Sequence, residues 1–192
     1  MRIISGRFRG RHLSSPPPEI TRPSSDRARE AAFSALTSRL SSWNDVTFLD
    51  AFAGSGAFGL EALSRGAKFV VFAEKNKIAA KIIAKSLSSL SDDLTMKSVL
   101  YGDVLKMPKA KTAFNVIYLD APYRKGLTVP ALEHLAKTGW IGEESLIIAE
   151  TETGEDFTPP EGFTLDEVKT YGRASLNFLS YNQRGAESLK TS

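Results

Sequence analysis

Cysteine is absent from this 192-residue sequence, which excludes disulfides and thiolate-held metals. Histidine occurs only at His12 and His134, without the partner spacing of a zinc site or a histidine-based catalytic site, and no metal is expected. No apolar run approaches the roughly 18 residues that a membrane helix needs. The first seven residues, Met-Arg-Ile-Ile-Ser-Gly-Arg, lack the continuous apolar core of a secretory signal. The expectation is a soluble, cytoplasmic, monomeric protein that does not engage a membrane.

Lysine is missing from the first forty residues. Every cation there is arginine: Arg2, Arg7, Arg9, Arg11, Arg22, Arg27, Arg29 and Arg39, opposed only by Glu19, Asp26 and Glu30. The formal charge of the whole chain is +3, so a basic start precedes a slightly acidic body. That asymmetry suits a polyanion, and arginine suits bidentate phosphate contacts and stacking on bases. Arg7, Arg9, Arg11, Arg22, Arg27 and Arg29 are the candidate nucleic-acid contacts.

Residues 2–13 alternate apolar and basic around two glycines and predict a short hairpin with arginines on one face. Pro16-Pro17-Pro18 then makes a stiff linker, so residues 1–22 read as a basic arm. Residues 23–184 read as the main domain, and 185–192 as a frayed tail. Ser24 or Ser25 can cap a helix reaching Leu40, with Ala28, Ala32, Ala35 and Leu36 on one face. From there strand, glycine turn and helix repeat. Strands are predicted at 47–51, 68–73, 95–100, 114–120 and 145–150, and helices at 57–65, 77–90 and 127–137. Alternation of this kind implies an α/β fold with a largely parallel sheet covered by helices on both faces. Residues 163–171 and 175–181 predict an antiparallel pair at one edge, joined through Gly172.

The most pointed chemistry lies in Asp120-Ala121-Pro122-Tyr123, after an apolar run that reads as a buried strand. A carboxylate, a carbonyl ahead of proline and an aromatic ring then share a strand's C-terminal end, where open α/β sheets bind ligands. The first two can accept hydrogen bonds from an amino group while the ring stacks on a flat heterocycle, so the group suits an exocyclic nucleobase amine. Upstream, Gly54, Gly56 and Gly59 open a helix after a strand, a spacing that by itself fits a dinucleotide. Asp50 would repel a pyrophosphate at that mouth but suits an ammonium group or water ordered around one. Glu74 can hold ribose hydroxyls, and Asp103 an adenine amine with Val104 beside the ring. Asp50, Phe52, Gly54, Gly56, Glu74, Lys75, Asp103 and Val104 are thus the candidate cofactor residues. Asp50, Glu74, Asp103 and Asp120 stand at four successive strand ends.

This order resembles the seven-strand, Rossmann-like S-adenosylmethionine-dependent methyltransferases. The start Arg2-Ile-Ile-Ser-Gly-Arg-Phe-Arg-Gly-Arg11, the stretch Arg22-Pro-Ser-Ser-Asp-Arg-Ala-Arg-Glu30 with Phe33, and Thr138-Gly139-Trp140 are similar to the RsmD family of bacterial 16S rRNA guanine-N2 methyltransferases. The resemblance spans residues 2–181. It implies S-adenosylmethionine as cofactor and 16S rRNA, or the small-subunit ribonucleoprotein, as partner. It also implies that Asp120 and the Ala121 carbonyl face a guanine amine, with Pro122 fixing the turn and Tyr123 stacking on the base. Asp120-Ala121-Pro122-Tyr123 departs from the family's Asp/Asn-Pro-Pro-Tyr. A backbone carbonyl does not depend on its side chain, so the change is expected to cost rigidity rather than chemistry. An adenine-N6 DNA methyltransferase could share the Asp-Pro-Tyr geometry, but no separate domain for reading DNA is apparent. An RNA-binding protein that has lost turnover is disfavoured by the intact Asp120 and cofactor loop, and a dehydrogenase by Asp50.

Overall fold

Residues 47–51, 69–73 and 116–119 are almost wholly buried along their length, the burial expected of strands covered on both faces. They form the centre of the sheet in a computed structural model that describes residues 1–17, 26–91 and 98–182. In chain order the elements are α1 (Asp26–Arg39), β1 (Thr47–Ala51), α2 (Ala57–Arg65), β2 (Phe69–Ala73), α3 (Lys77–Leu90) and β3 (Ser98–Tyr101). A 3-10 turn (Val104–Lys106) follows, then β4 (Val116–Leu119), α4 (Thr128–Lys137), β5 (Leu146–Glu152), β6 (Phe163–Tyr171) and β7 (Ala174–Tyr181). The predicted roles of Arg22, Ser24 and Ser25, the start of the 95–100 strand and the 185–192 tail fall outside the described residues.

The seven strands lie in the order β3-β2-β1-β4-β5-β7-β6. The first five run parallel, and β7 pairs antiparallel with both β5 and β6. The chain leaves β1 toward β2 and β3, then crosses back to β4 and β5. The strand order therefore reverses between β1 and β4, the usual site of a ligand crevice.

Strand alternation divides the core in two. Phe48, Phe72, Val116, Tyr118 and Ile148 pack with Phe33 and Leu36 of α1, Phe58 and Leu60 of α2 and Ile83 of α3. Leu49, Val71, Ile117 and Ile147 face the other way, against Leu132 and Leu135 of α4 and Trp140. Gly59 sets the distance between α2 and the sheet: a Cβ there would lie 2.2 Å from the Phe72 ring. Among the described residues no helix is long and apolar enough to cross a membrane.

The N-terminal segment turns back on itself, with pairing between its two arms limited to a few hydrogen bonds. Around the single antiparallel bridge of Arg2 to His12, the Ile3 N–H donates to the Arg11 carbonyl at 3.1 Å, the Gly10 N–H to the Ile3 carbonyl at 2.9 Å and the Leu13 N–H to the Met1 carbonyl at 3.0 Å. The donors of Ile4, Ser5, Arg7 and Phe8 turn to α2. Glu61, 1% exposed, accepts the N–H groups of Ile4 at 2.8 Å and Ser5 at 3.0 Å and also pairs with Arg65. Ser64 accepts the Phe8 N–H through Oγ and the Arg7 N–H through its carbonyl. Gly6, at φ 83°, passes so close that a Cβ would overlap the Ser64 carbonyl. Ile3 and Phe8 are buried in the same core as α1 and α2. The arm is therefore bolted to the main domain, with Arg7, Arg9 and Arg11 exposed.

Candidate active site

A cleft of about 760 Å³ opens at the β1/β4 switch, within the usual range for small-molecule sites. It gathers the residues singled out at the strand ends: Asp50 and the 52–55 loop from β1, Glu74 and Lys75 from β2, Asp103 and Val104 after β3, and Asp120 to Tyr123 after β4. The two halves of the predicted site, cofactor loop and Asp-Ala-Pro-Tyr, thus share one cavity.

Asp50 sits in β1 rather than at an open mouth. It is 2% exposed and accepts the Gly59 N–H at 2.8 Å, at the start of α2. Burial pushes its carboxyl up to about 8, with the Gly59 hydrogen bond acting against that rise and the charge of Glu74 adding to it. A cation arriving in the cleft would favour the ionised form. Glu74 accepts the Gly54 N–H on one oxygen at 2.7 Å and the Asn76 N–H on the other at 2.6 Å. Each oxygen keeps a second lone pair, so a rigidly held carboxylate can still receive two vicinal hydroxyls. Asp103 caps the 3-10 turn, its Oδ1 accepting the Leu105 N–H at 3.0 Å. Beside it, Gly102 lines the cleft, and a Cβ there would meet nothing within 4 Å, which leaves room for a flat ring against buried Val104. The donor set and the open space fit a nucleoside that carries a positive charge.

On the other side of the cleft, the Asp120 N–H donates to the Ala51 carbonyl at 3.2 Å, tying this turn to β1. Ala121 is 3% exposed, so its side chain packs inward. The Tyr123 hydroxyl donates to Glu150 at 2.7 Å, and the Tyr118 hydroxyl donates to the other carboxylate oxygen. Tyr118 lies in register with Ile148, which puts Glu150 on the same sheet face. Burial, then the charges of Glu150 and Asp120, push the Tyr118 phenol well above its usual range, so it stays a donor. Its ring stacks on Phe58, which lines the cleft.

Glu150 is the cleft residue that the sequence reading passed over, although the fifth strand was predicted to end on it. Its signal was the rule already applied to Asp50, Glu74, Asp103 and Asp120. The tip of the β6–β7 hairpin also reaches the cleft with Tyr171, Gly172 and Arg173.

One predicted nucleic-acid contact is not available. Arg29 is 2% exposed, and its Nη2 donates to the Arg2 carbonyl at 2.6 Å and to Asp26 at 2.9 Å. It lies one and two helical turns before Phe33 and Leu36, so the helix turns it into the core. Arg27, by contrast, is exposed and lines the cleft.

A family model described as conserved hypothetical protein 95 matches residues 1–180. A ribosomal RNA small subunit methyltransferase D of Haemophilus influenzae is 37% identical over 178 residues, covering 91% of both chains. The protein of the same name from Escherichia coli K12 is 32% identical over 186 residues, covering 96% of this chain and 92% of its own. A candidate methyltransferase structure from Escherichia coli superimposes with a TM-score of 0.80 at 31% identity, covering 95% of this chain and 98% of that one. The Streptomyces viridochromogenes rRNA methyltransferase aviRa shares the fold, with a TM-score of 0.67 at 18% identity over 88% of each chain.

Proposed function

The chain belongs to the family described as conserved hypothetical protein 95, the RsmD family, and from that membership we propose that it methylates small-subunit rRNA. The methyl donor is S-adenosylmethionine and the acceptor is the exocyclic N2 amine of a guanine. The observation that carries the reading is that the cofactor-type loop and Asp120-Ala121-Pro122-Tyr123 line one cleft.

When bound, S-adenosylmethionine supplies an electrophilic methyl group on a cationic sulfur. Asp50 and Gly54 hold its methionine end, with Phe52 beside them, while Gly56, which does not line the cleft, starts α2 with a left-handed backbone against Ile83. Glu74 takes the ribose hydroxyls, with Lys75 next to it, and Asp103 and Val104 take the adenine. The target base has to leave its stack to reach this depth, which is least costly for an unpaired base, and Tyr123 stacks on it.

The N2 lone pair is delocalised into the guanine ring, which makes the amine a weak nucleophile. Hydrogen bonds from the amine to Asp120 and to the Ala121 carbonyl favour a more tetrahedral nitrogen and hold it in one orientation. Alignment of this kind lowers a barrier by several kcal/mol. The proton leaves after the nitrogen has gained its fourth bond and become acidic, with Asp120 the adjacent carboxylate. Ala121 contributes through its backbone, and Pro122 keeps it extended.

The test is labelled-methyl transfer to rRNA from a methylation-deficient strain, followed by nucleoside analysis. N2-methylguanosine is the expected product. Methylated adenine, or no transfer in the presence of bound cofactor, would overturn the assignment.

A further inference from the structure

Two described residues other than glycine hold positive φ: Phe52 at 61° and Arg124 at 57°. Phe52 belongs to the cofactor loop. Arg124 has no such explanation from packing, because its side chain is 81% exposed. The Pro122 carbonyl accepts the Lys125 N–H at 3.3 Å, closing a turn whose third residue is Arg124. Glycine or asparagine is the usual occupant of a positive-φ position there. The Arg124 Nε donates to Glu152 at 2.8 Å, but an ion pair whose arginine is this exposed contributes about 0–1 kcal/mol, less than the roughly 1–2 kcal/mol that a left-handed backbone costs. The contacts within the fold do not account for an arginine at this position.

The other oxygen of Glu152 receives Nη2 of Arg173 at 2.7 Å. Arg173 is 72% exposed, whereas Glu152 is only 12% exposed. One fixed carboxylate thus holds two outward-facing guanidinium groups. Arg173 lines the cleft with Tyr171 and Tyr123, and Arg124 directly follows Tyr123. Glu152 ends β5, Arg124 follows β4, and Arg173 lies in the β6–β7 turn, so all three stand on the sheet edge that carries the cleft.

We propose that Arg124 and Arg173, oriented by Glu152, form a phosphate-binding pair that holds the RNA backbone on either side of the base entering the cleft. The inference rests on reading that cleft as an RNA methyltransferase site. Glu152 occupies Nε of Arg124 and one terminal nitrogen of Arg173, and the remaining N–H groups of both forks can meet phosphate oxygens. Both guanidinium groups share one carboxylate and stay largely exposed, so an anion can complement the charge that Glu152 does not neutralise. Arg7, Arg9 and Arg11 belong to a segment anchored on α2 through Glu61 and Ser64. This pair instead flanks the ring on which the base stacks, where that nucleotide's own phosphates have to pass. Phosphate contacts of this kind fix register without reading sequence.

The test uses an rRNA hairpin carrying an unpaired guanine, with binding read by fluorescence anisotropy across a salt series. Arg124→Gly and Arg173→Ala should each weaken RNA binding about tenfold. Each should also flatten the slope of log affinity against log salt by about 0.7–0.9, and raise KM for RNA by a larger factor than it lowers kcat. Arg124→Gly should leave Tm unchanged or higher, because glycine accepts the left-handed backbone. A residue with a merely structural role would show the reverse, a lower Tm with RNA affinity intact. Glu152→Gln, which keeps the shape but loosens both forks, should weaken RNA binding less than either arginine change. RNA affinity and salt slope unchanged in both arginine variants would overturn the pair. A parent that binds RNA through these arginines yet transfers no methyl group would uphold the pair and overturn the methyltransferase reading. An active parent with insensitive variants would do the opposite.

Discussion

Asp50 carries opposing demands of stability and binding in one side chain. Its carboxyl is raised from 3.8 to about 8 in the fold, so between those pH values the native state holds a proton that the unfolded chain has released. Stability from this group is therefore full below about pH 4 and is lost as pH rises toward 8, at up to about 1.4 kcal/mol per pH unit. Asp50→Asn keeps an oxygen for the Gly59 N–H and removes the titration. The variant's Tm advantage over the parent should grow from near zero at pH 4 as pH rises. The cationic cofactor reverses the preference, since it favours the ionised carboxylate. Affinity for S-adenosylmethionine should rise with pH up to about 8 and level off, with proton uptake by buffer, and Asn should abolish both effects. Calorimetry in two buffers of different ionisation heat checks this, and binding without proton release would refute it. Tyr123 poses a second residue-scale question, because its hydroxyl is fixed by Glu150. Tyr123→Ala should lower kcat/KM by the equivalent of about 1–3 kcal/mol, the usual worth of stacking on a base. Tyr123→Phe keeps the ring but leaves a buried carboxylate oxygen without its donor, so its effect should fall on stability, by about 1–3 kcal/mol. If Glu150 acts by aiming the ring, Glu150→Ala should cost little activity in a chain that already carries Tyr123→Ala. Full additivity in single-turnover methylation would instead give Glu150 a separate role.

At the scale of elements, the N-terminal segment depends on one helix side chain. Glu61→Ala removes the acceptor of two backbone N–H groups and the partner of Arg65. It should destabilise the protein by about 2–4 kcal/mol and speed hydrogen exchange at Ile4 and Ser5 above all. Exchange that stayed slow at those amides would mean that Ile3 and Phe8 hold the segment by themselves. Glu61 also shows what the sequence could and could not disclose. Strand and helix positions were legible because continuous apolar runs, helical spacing and glycine stops are local signals; β1 and α2 match the predicted bounds, and α4 begins one residue later. The cleft was legible for a related reason. Parallel strands all end on one edge, so acids predicted at successive strand ends had to converge. What stayed hidden came from contacts far apart in sequence. Glu61 reads as an exposed helix charge until residues 4 and 5, more than fifty positions away, donate to it. The hairpin was legible only in part for the same reason: Ile3, Gly10 and Leu13 pair across it, whereas Ile4, Ser5, Arg7 and Phe8 donate to Glu61 and Ser64 of α2. Arg29 was obscured differently: its helical period placed it on the buried face, but the cluster of charge around it outweighed that signal.

Across the whole molecule, a net charge of +3 is too small to carry the proposed RNA binding by itself; that proposal rests on the placement of the arginines. Arg9 and Arg11 are exposed on a segment clamped to α2, so holding them near RNA costs little further chain entropy. Each should contribute one phosphate contact, and alanine at either should flatten the salt slope by about 0.7–0.9. Neither change should move stability by more than about 0.5 kcal/mol, as is usual for surface substitutions. Arg29 should behave in the opposite way. Arg29→Met keeps an apolar stem of similar length but leaves the Arg2 carbonyl and Asp26 without their donor. Stability should fall by about 1–3 kcal/mol, while the folded protein keeps the parent's salt slope. Denaturant titration and a salt series on the three variants separate the two classes. A flattened slope in Arg29→Met at temperatures where it is fully folded would show that this arginine reaches the RNA after all, and that α1 repositions when RNA binds.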